Sequence, residues 1–193
     1  MSDTTLSHAR PIVPAFTSIT NALAPFAEPL VRVAAGLMLV PHGAQKLFGW
    51  FGGYGIAGTG QFLEQLGFRP GRLHAAQAGI VEGVGGLLLA VGLLTPAAGA
   101  ALVAVMLVAA VSVHLKGGFF LQGGGYEYTL VLGAAALALA FTGPGPISLD
   151  QALGISWSGE TWGLGALAAG VIGGAVPLVT RKMPGTSAAR NPA

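Results

Sequence analysis

Five apolar runs, at about residues 30–48, 73–94, 97–115, 126–142 and 162–180, dominate the chain. A stretch of roughly 20 mainly apolar residues matches the hydrocarbon thickness of a bilayer. There is no water there to pair with backbone groups, so each run must satisfy its own hydrogen bonds as a helix. Only 8% of the residues are charged, against about a quarter in soluble domains, which is too little polar surface for a water-exposed globule. The expected fold is therefore all-α, a polytopic membrane four-helix bundle with the fifth run as a further transmembrane helix. Within these 193 residues, four or five spans leave no room for a separate soluble catalytic domain. The expected division is an N-terminal extension over 1–28, a membrane domain over 29–154, and a C-terminal extension over 155–193 that carries the fifth run.

Cysteine is absent, which excludes thiol–disulfide exchange, thiolate nucleophiles and iron–sulfur ligation by this chain. The net charge is +2 and the nine basic residues are scattered among the loops. They form none of the stripes that nucleic-acid binding needs, so no nucleic-acid partner is expected. The basic residues read as membrane topology instead.

Residues 1–28 mix polar and small residues with Pro11, Pro14 and Pro25. They lack the basic start and directly following apolar core of a cleaved signal peptide. Pro41 interrupts the first run and is expected to loosen the turn before His42 and Gly43. The glycine-rich stretch GWFGGYGIAGTG reads as a connection leading into a short surface helix around QFLEQLG. Gly143-Pro144-Gly145-Pro146 ends the fourth run, and Ser148-Leu-Asp-Gln has the pattern of a capping box. Small residues recur four apart at Gly79 and Gly83, Ala100 and Ala104, and Gly170 and Gly174. That spacing suits close helix packing in lipid, either as ordinary bundle contacts or as the seam of a homo-oligomer.

Orientation depends on the fifth run. If it crosses, one face carries Lys46, Arg69, Arg72, Lys116, Arg181, Lys182 and Arg190 against Arg10 and Arg32 on the other. The richer face is then cytoplasmic. If it does not cross, the tail changes sides and the charges no longer decide.

Charge in hydrocarbon costs about 2.5–3.5 kcal/mol even on insertion scales, so ionisable residues within spans usually face a bundle interior and a task. Alternating span direction brings the end of run one (His42, Gln45, Lys46), the start of run two (His74, Gln77), the end of run three (His114) and the start of run four (Glu127) to one face. Glu82 lies about 15 Å and His42 about 9 Å from that face, by residue rise, so the two can share a pocket. His42 and Lys46 are four apart and share a helix side. A buried carboxylate beside a histidine suits proton uptake or quinone reduction, and the same groups can also merely hold the bundle together. His42, Glu82, Lys46 and His114 are the candidate catalytic residues; Gln45, Gln77, Glu127 and Arg32 are candidate binding residues. For Arg32, near the opposite face, snorkelling or pairing with Glu28 or Asp150 is the simpler reading. Two histidines on different helices raise haem, but His42 and His114 differ in depth by about 6 Å, so haem is disfavoured. No metal site is expected, since the ligand types lack a paired motif.

The runs RVAAGLMLVPHGAQKLFGWFGG, QAGIVEGVGGLLLAVGLLTPAAG, HLKGGFFLQGGGYEYTLVL and FTGPGPISLDQALG occur in this order and resemble the DoxX family of small bacterial inner-membrane proteins, from about Leu30 to Gly154. The resemblance implies a four-helix membrane bundle in the bacterial inner membrane, acting as an oxidoreductase or as a subunit of an oxidoreductase complex with redox partner proteins. Related DoxD-type proteins are linked to thiosulfate:quinone oxidoreduction, so the resemblance raises a quinone as a cofactor without fixing one. The positions that fit the family's pattern are Arg32, His42, Gly43, Lys46, Glu82, His114, Glu127, Gly143, Pro144, Ser148 and Asp150, without assigned roles. The resulting expectation is a redox subunit in which His42 and Glu82 relay a proton while Lys46 and His114 polarise a quinone carbonyl or an anionic substrate. The alternative is a non-enzymatic scaffold or small-solute carrier in which the polar cluster is structural.

Overall fold

The computed structural model describes residues 14–182, and among them every regular element is helical. The expectations for Arg10, Pro11 and Arg190 fall outside the described residues. Helix α1 (Pro14–Leu23) passes through a 3₁₀ turn at Ala24–Phe26 into α2 (Ala27–Phe48). The N-terminal prolines therefore do not keep this stretch irregular. Pro14 and Pro25 sit in first turns, where no backbone N–H is needed. Helix α2 also runs on through Pro41 to a left-handed cap at Gly49 (φ +75°).

Helix α3 (Gly55–Gln65) begins earlier than expected and takes in the second half of the glycine-rich stretch. The reason is packing: Gly60 lies against the backbone of Arg72, where a side chain would intrude. The second span consists of α4 (Gly71–Ile80), a π-helical turn over Val81–Gly85 and α5 (Gly86–Val91). The third consists of α6 (Thr95–Ala109) and a second π-helical turn, Ala110–His114. Helix α7 (Glu127–Thr142) forms the fourth span, at 16 residues shorter than the four helices among the described residues that are long and apolar enough to cross a membrane. A single turn, α8 (Leu149–Ala152), follows, then α9 (Glu160–Thr180).

The buried core joins four spans: Ala35 and Leu39 of α2, Leu89 of α5, Leu102 and Met106 of α6, and Leu132, Ala136 and Leu139 of α7. Helix α9 packs outside this four-helix core, on α6 and α7. It runs the length of the bundle. Gly159 N–H donates to Phe141 O at the end of α7 (2.7 Å), and Lys182 N–H donates to Gly67 O in the α3–α4 turn (2.8 Å). The small-residue seams lie inside this one chain. Gly170 and Gly174 meet the Ala100 and Ala104 carbonyls of α6 (3.0 and 2.9 Å from an added Cβ), while Gly79 meets Leu47 of α2. Large apolar side chains such as Leu30, Leu37, Val131, Ile172 and Val179 are exposed on the outside, as a lipid-facing surface requires.

The Ser148 cap forms as its pattern predicts: its Oγ accepts from Gln151 N–H (3.2 Å) and donates to Gly145 O (2.8 Å). Ser148→Ala is expected to cost about 1 kcal/mol, the usual cost of losing an N-cap. Thermal unfolding in detergent checks this, and a shift no larger than that of an exposed surface substitution would contradict it.

Candidate functional site

Glycine packing builds the site. Gly36 of α2 lies against Gly86 and Ala90, and Gly43 against Gly79 and Gly83, so the two spans approach backbone to backbone. A Cβ at Gly43 would overlap main-chain atoms of Gly83, which cannot move aside as a side chain can. At this separation Lys46 Nζ reaches across and donates to Glu82 Oε2. This is the one ion pair among the described residues. Glu82 is 3% exposed and sits in the π-helical turn, a helix defect that often marks functional positions.

His42 lies one turn before Lys46, and its ring faces that of Tyr128 on α7 (centroids 5.5 Å apart, tilted by 52°). The Glu82 carboxylate interacts electrostatically with both His42 and Tyr128. Three spans thus contribute to one polar cluster: His42 and Lys46 from α2, Glu82 from the second span and Tyr128 from α7. Three of the four are sequence-predicted. Tyr128 is not one of the Asp, Glu, Lys, Arg and His residues whose charge marks a span, although it directly follows Glu127 at the start of a span that begins on the same face.

A cavity of about 540 Å³ opens beside Lys46, lined also by Gln45, Gly52, Gly53, Tyr54, Gly58, Thr59, Gln61, Phe62 and Gln65. It lies between the end of α2, the loop after it and α3. Gln45 lines it and also donates through Nε2 to Phe51 O (3.2 Å). Phe51 is held at φ +53°, a left-handed conformation uncommon for a bulky residue, so Gln45 helps fix the loop that roofs the cavity. Lys46 keeps two further N–H donors beyond the one given to Glu82.

Other candidates are placed elsewhere. His114 Nδ1 bonds Gly124 O (2.9 Å), and Glu127 Oε2 accepts from Leu121 N–H (3.0 Å). Both pin the loop between α6 and α7, and neither makes a hydrogen bond or ion pair with His42, Lys46 or Glu82. Gln77 and His74 border a different cleft, between α4, α6 and α9. Arg32 lies 14 residues before Lys46, about 21 Å away along the helix axis. It does not snorkel, being 4% exposed, nor does it ion-pair with Glu28 or Asp150. Its guanidinium donates instead to three carbonyls: Pro144 O from Nε (3.0 Å), Ala90 O and Ile147 O. Asp150 is taken by the start of α6, accepting from Leu94 N–H (2.8 Å), Thr95 N–H (3.0 Å) and Thr95 Oγ1 (2.8 Å). That holds Leu94 at φ +51°, a strained position that persists only when its surroundings over-determine it.

Long apolar helices around a cross-helix pair of a half-buried Lys and a buried Glu define a multi-pass all-α membrane protein. The DoxX family model matches residues 29–115, and this part of the chain belongs to the DoxX family. The match contains Arg32, His42, Gln45, Lys46, Gln77, Glu82 and His114, and it ends before α7, with Glu127 and Tyr128, and before the Gly143–Asp150 segment. No curated protein and no solved structure matches the chain.

Proposed function

We propose that this protein is a proton-handling, quinone-interacting subunit of a redox system in the bacterial inner membrane. The observation that carries the reading is the pairing of Lys46 with the buried Glu82, with His42 and Tyr128 beside it, next to a cavity that Lys46 itself lines. Reducing a quinone to its quinol takes two electrons and two protons, with one proton added to each carbonyl oxygen. In this reading a redox partner protein supplies the electrons. Lys46 donates a hydrogen bond to a quinone carbonyl at the inner end of the cavity, where negative charge develops during reduction. Glu82 and His42 pass the proton, a role suited to a carboxylic acid and an imidazole in one low-dielectric cluster.

The basic residues support an orientation. Lys46, Arg69, Arg72, Lys116, Arg181 and Lys182 lie at the end of the bundle where α2 and α9 finish, against Arg32 at the other. The positive-inside rule puts that end, and the cavity beside Lys46, on the cytoplasmic side.

The protein purified in mild detergent is expected to yield a quinone at close to one per chain on solvent extraction, and Glu82→Gln and His42→Ala to lose it while still folding. Membranes of a deletion strain are expected to lose a quinone-linked activity. A folded, quinone-free preparation together with unchanged quinone reduction in those membranes would overturn the reading.

A further inference from the structure

A second cavity, of about 470 Å³, lies on the other side of the second span, between α4, α6 and α9. Its polar lining groups are confined to one end. Toward the end where α9 finishes, His74, Gln77 and Thr180 stand among the apolar Leu63, Phe68 and Pro177; deeper in, the wall is apolar throughout, with Val81, Ala101, Val105 and Gly173. The His74 ring packs on Phe68 (centroids 5.5 Å apart), and the guanidinium of Arg181, the residue after the lining Thr180, lies over the same Phe68 ring (5.7 Å). Among the described residues Arg181 makes no ion pair, and the side chains of His74 and Gln77 hydrogen-bond to no other described residue. Gln77 lies six residues into α4, about 9 Å from its start. At that depth an unpaired amide is costly.

We infer that this cleft is a binding site for an anionic glycerophospholipid, with the phosphate at Arg181, the ester carbonyls at His74 and Gln77, and one acyl chain along the deeper apolar wall. The order of polarity along the cleft is that of the lipid itself, from charged head through polar ester to hydrocarbon. The basic mouth faces the leaflet in which anionic lipids concentrate and attract nearby Lys and Arg. The site shares no lining residue with the cavity beside Lys46, so it stands whether or not that cavity takes a quinone.

Native mass spectrometry of the full chain in mild detergent, titrated with phosphatidylglycerol and with phosphatidylcholine, tests this. One phosphatidylglycerol is expected to be retained per chain in preference to phosphatidylcholine. Arg181→Gln is expected to reduce that preference about fivefold, the worth of one basic residue near an anionic surface. Ala101→Phe, which fills the deep wall, is expected to abolish retention of either lipid. Gln77→Leu, at an exposed position compatible with folding, is expected to weaken both lipids alike. Equal retention of the two lipids by the unaltered chain overturns the inference. So does phosphatidylglycerol binding that neither Ala101→Phe nor Gln77→Leu alters, and so does recovery of a quinone in place of phospholipid whose loss follows Ala101→Phe.

Discussion

Arg32→Met is expected to destabilise the protein by about 3–5 kcal/mol, the scale on which removing one partner from a buried charged network is felt. The side chain is 4% exposed and serves carbonyls of three residues, Ala90, Pro144 and Ile147. Methionine fills much of the volume but donates nothing, and leaving the buried Ala90 carbonyl unpaired costs about 1–3 kcal/mol, with a smaller loss at the more open Pro144 and Ile147 carbonyls. The loss is concentrated where α2, the end of α5 and the segment before α8 meet, so the chain at Phe141 and Leu149, which flank that segment, is expected to become the first site of chymotrypsin cleavage. Arg32→Lys is expected to recover only part of the stability, since a single ammonium cannot reproduce a planar fork aimed at three acceptors. Thermal unfolding in detergent and limited proteolysis check both. A midpoint for Arg32→Met no lower than that of Ser148→Ala would show that the network does not hold this end of the bundle.

The architecture was legible because it rests on length and polarity alone. Each expected apolar run is a helix whose ends fall within a few residues of the expected ones, and Ser148 caps α8 through the donor its spacing indicated. The fifth run, which left the orientation conditional, lies along the bundle through contacts that no local pattern carries: Lys182 N–H on Gly67 O at one end and Gly159 N–H on Phe141 O at the other. The glycine-rich start of α3 looks like loop in the sequence because glycine's cost to a helix is local, whereas the close approach of Gly60 to Arg72 that offsets it is tertiary. The site was half legible. Depth counting brought His42, Lys46 and Glu82 together, since residue rise measures position along the membrane normal. It says nothing about rotation around each helix axis. His114 and Glu127 therefore share the expected face but turn to the loop between their helices, and Arg32 finds backbone carbonyls where only a carboxylate partner had been considered.

Lys46→Met is expected to be the most damaging single change at the cluster, costing about 3–5 kcal/mol because it strands a buried carboxylate. Glu82 is 3% exposed in a turn packed against the α2 backbone, so it cannot reach solvent without separating the spans. The reverse change is milder. In Glu82→Leu the lysine side chain, 27% exposed and bordering the cavity, can turn its ammonium toward the opening while its stem stays in contact with apolar surface. The double variant Lys46→Met/Glu82→Leu removes both charges and both desolvation costs, and it is expected to regain most of the unaltered protein's stability. That recovery separates the two roles of the pair. If the ion pair only staples α2 to the second span, the stable double variant keeps the quinone-linked activity and the bound quinone. If Lys46 and Glu82 bind the carbonyl and carry the proton, the double variant folds, unfolds at nearly the same temperature as the unaltered chain, and is empty and inactive. A double variant that folds and retains full activity would transfer the proton path away from this pair, leaving His42 and Tyr128 as the groups of the cluster still able to carry it.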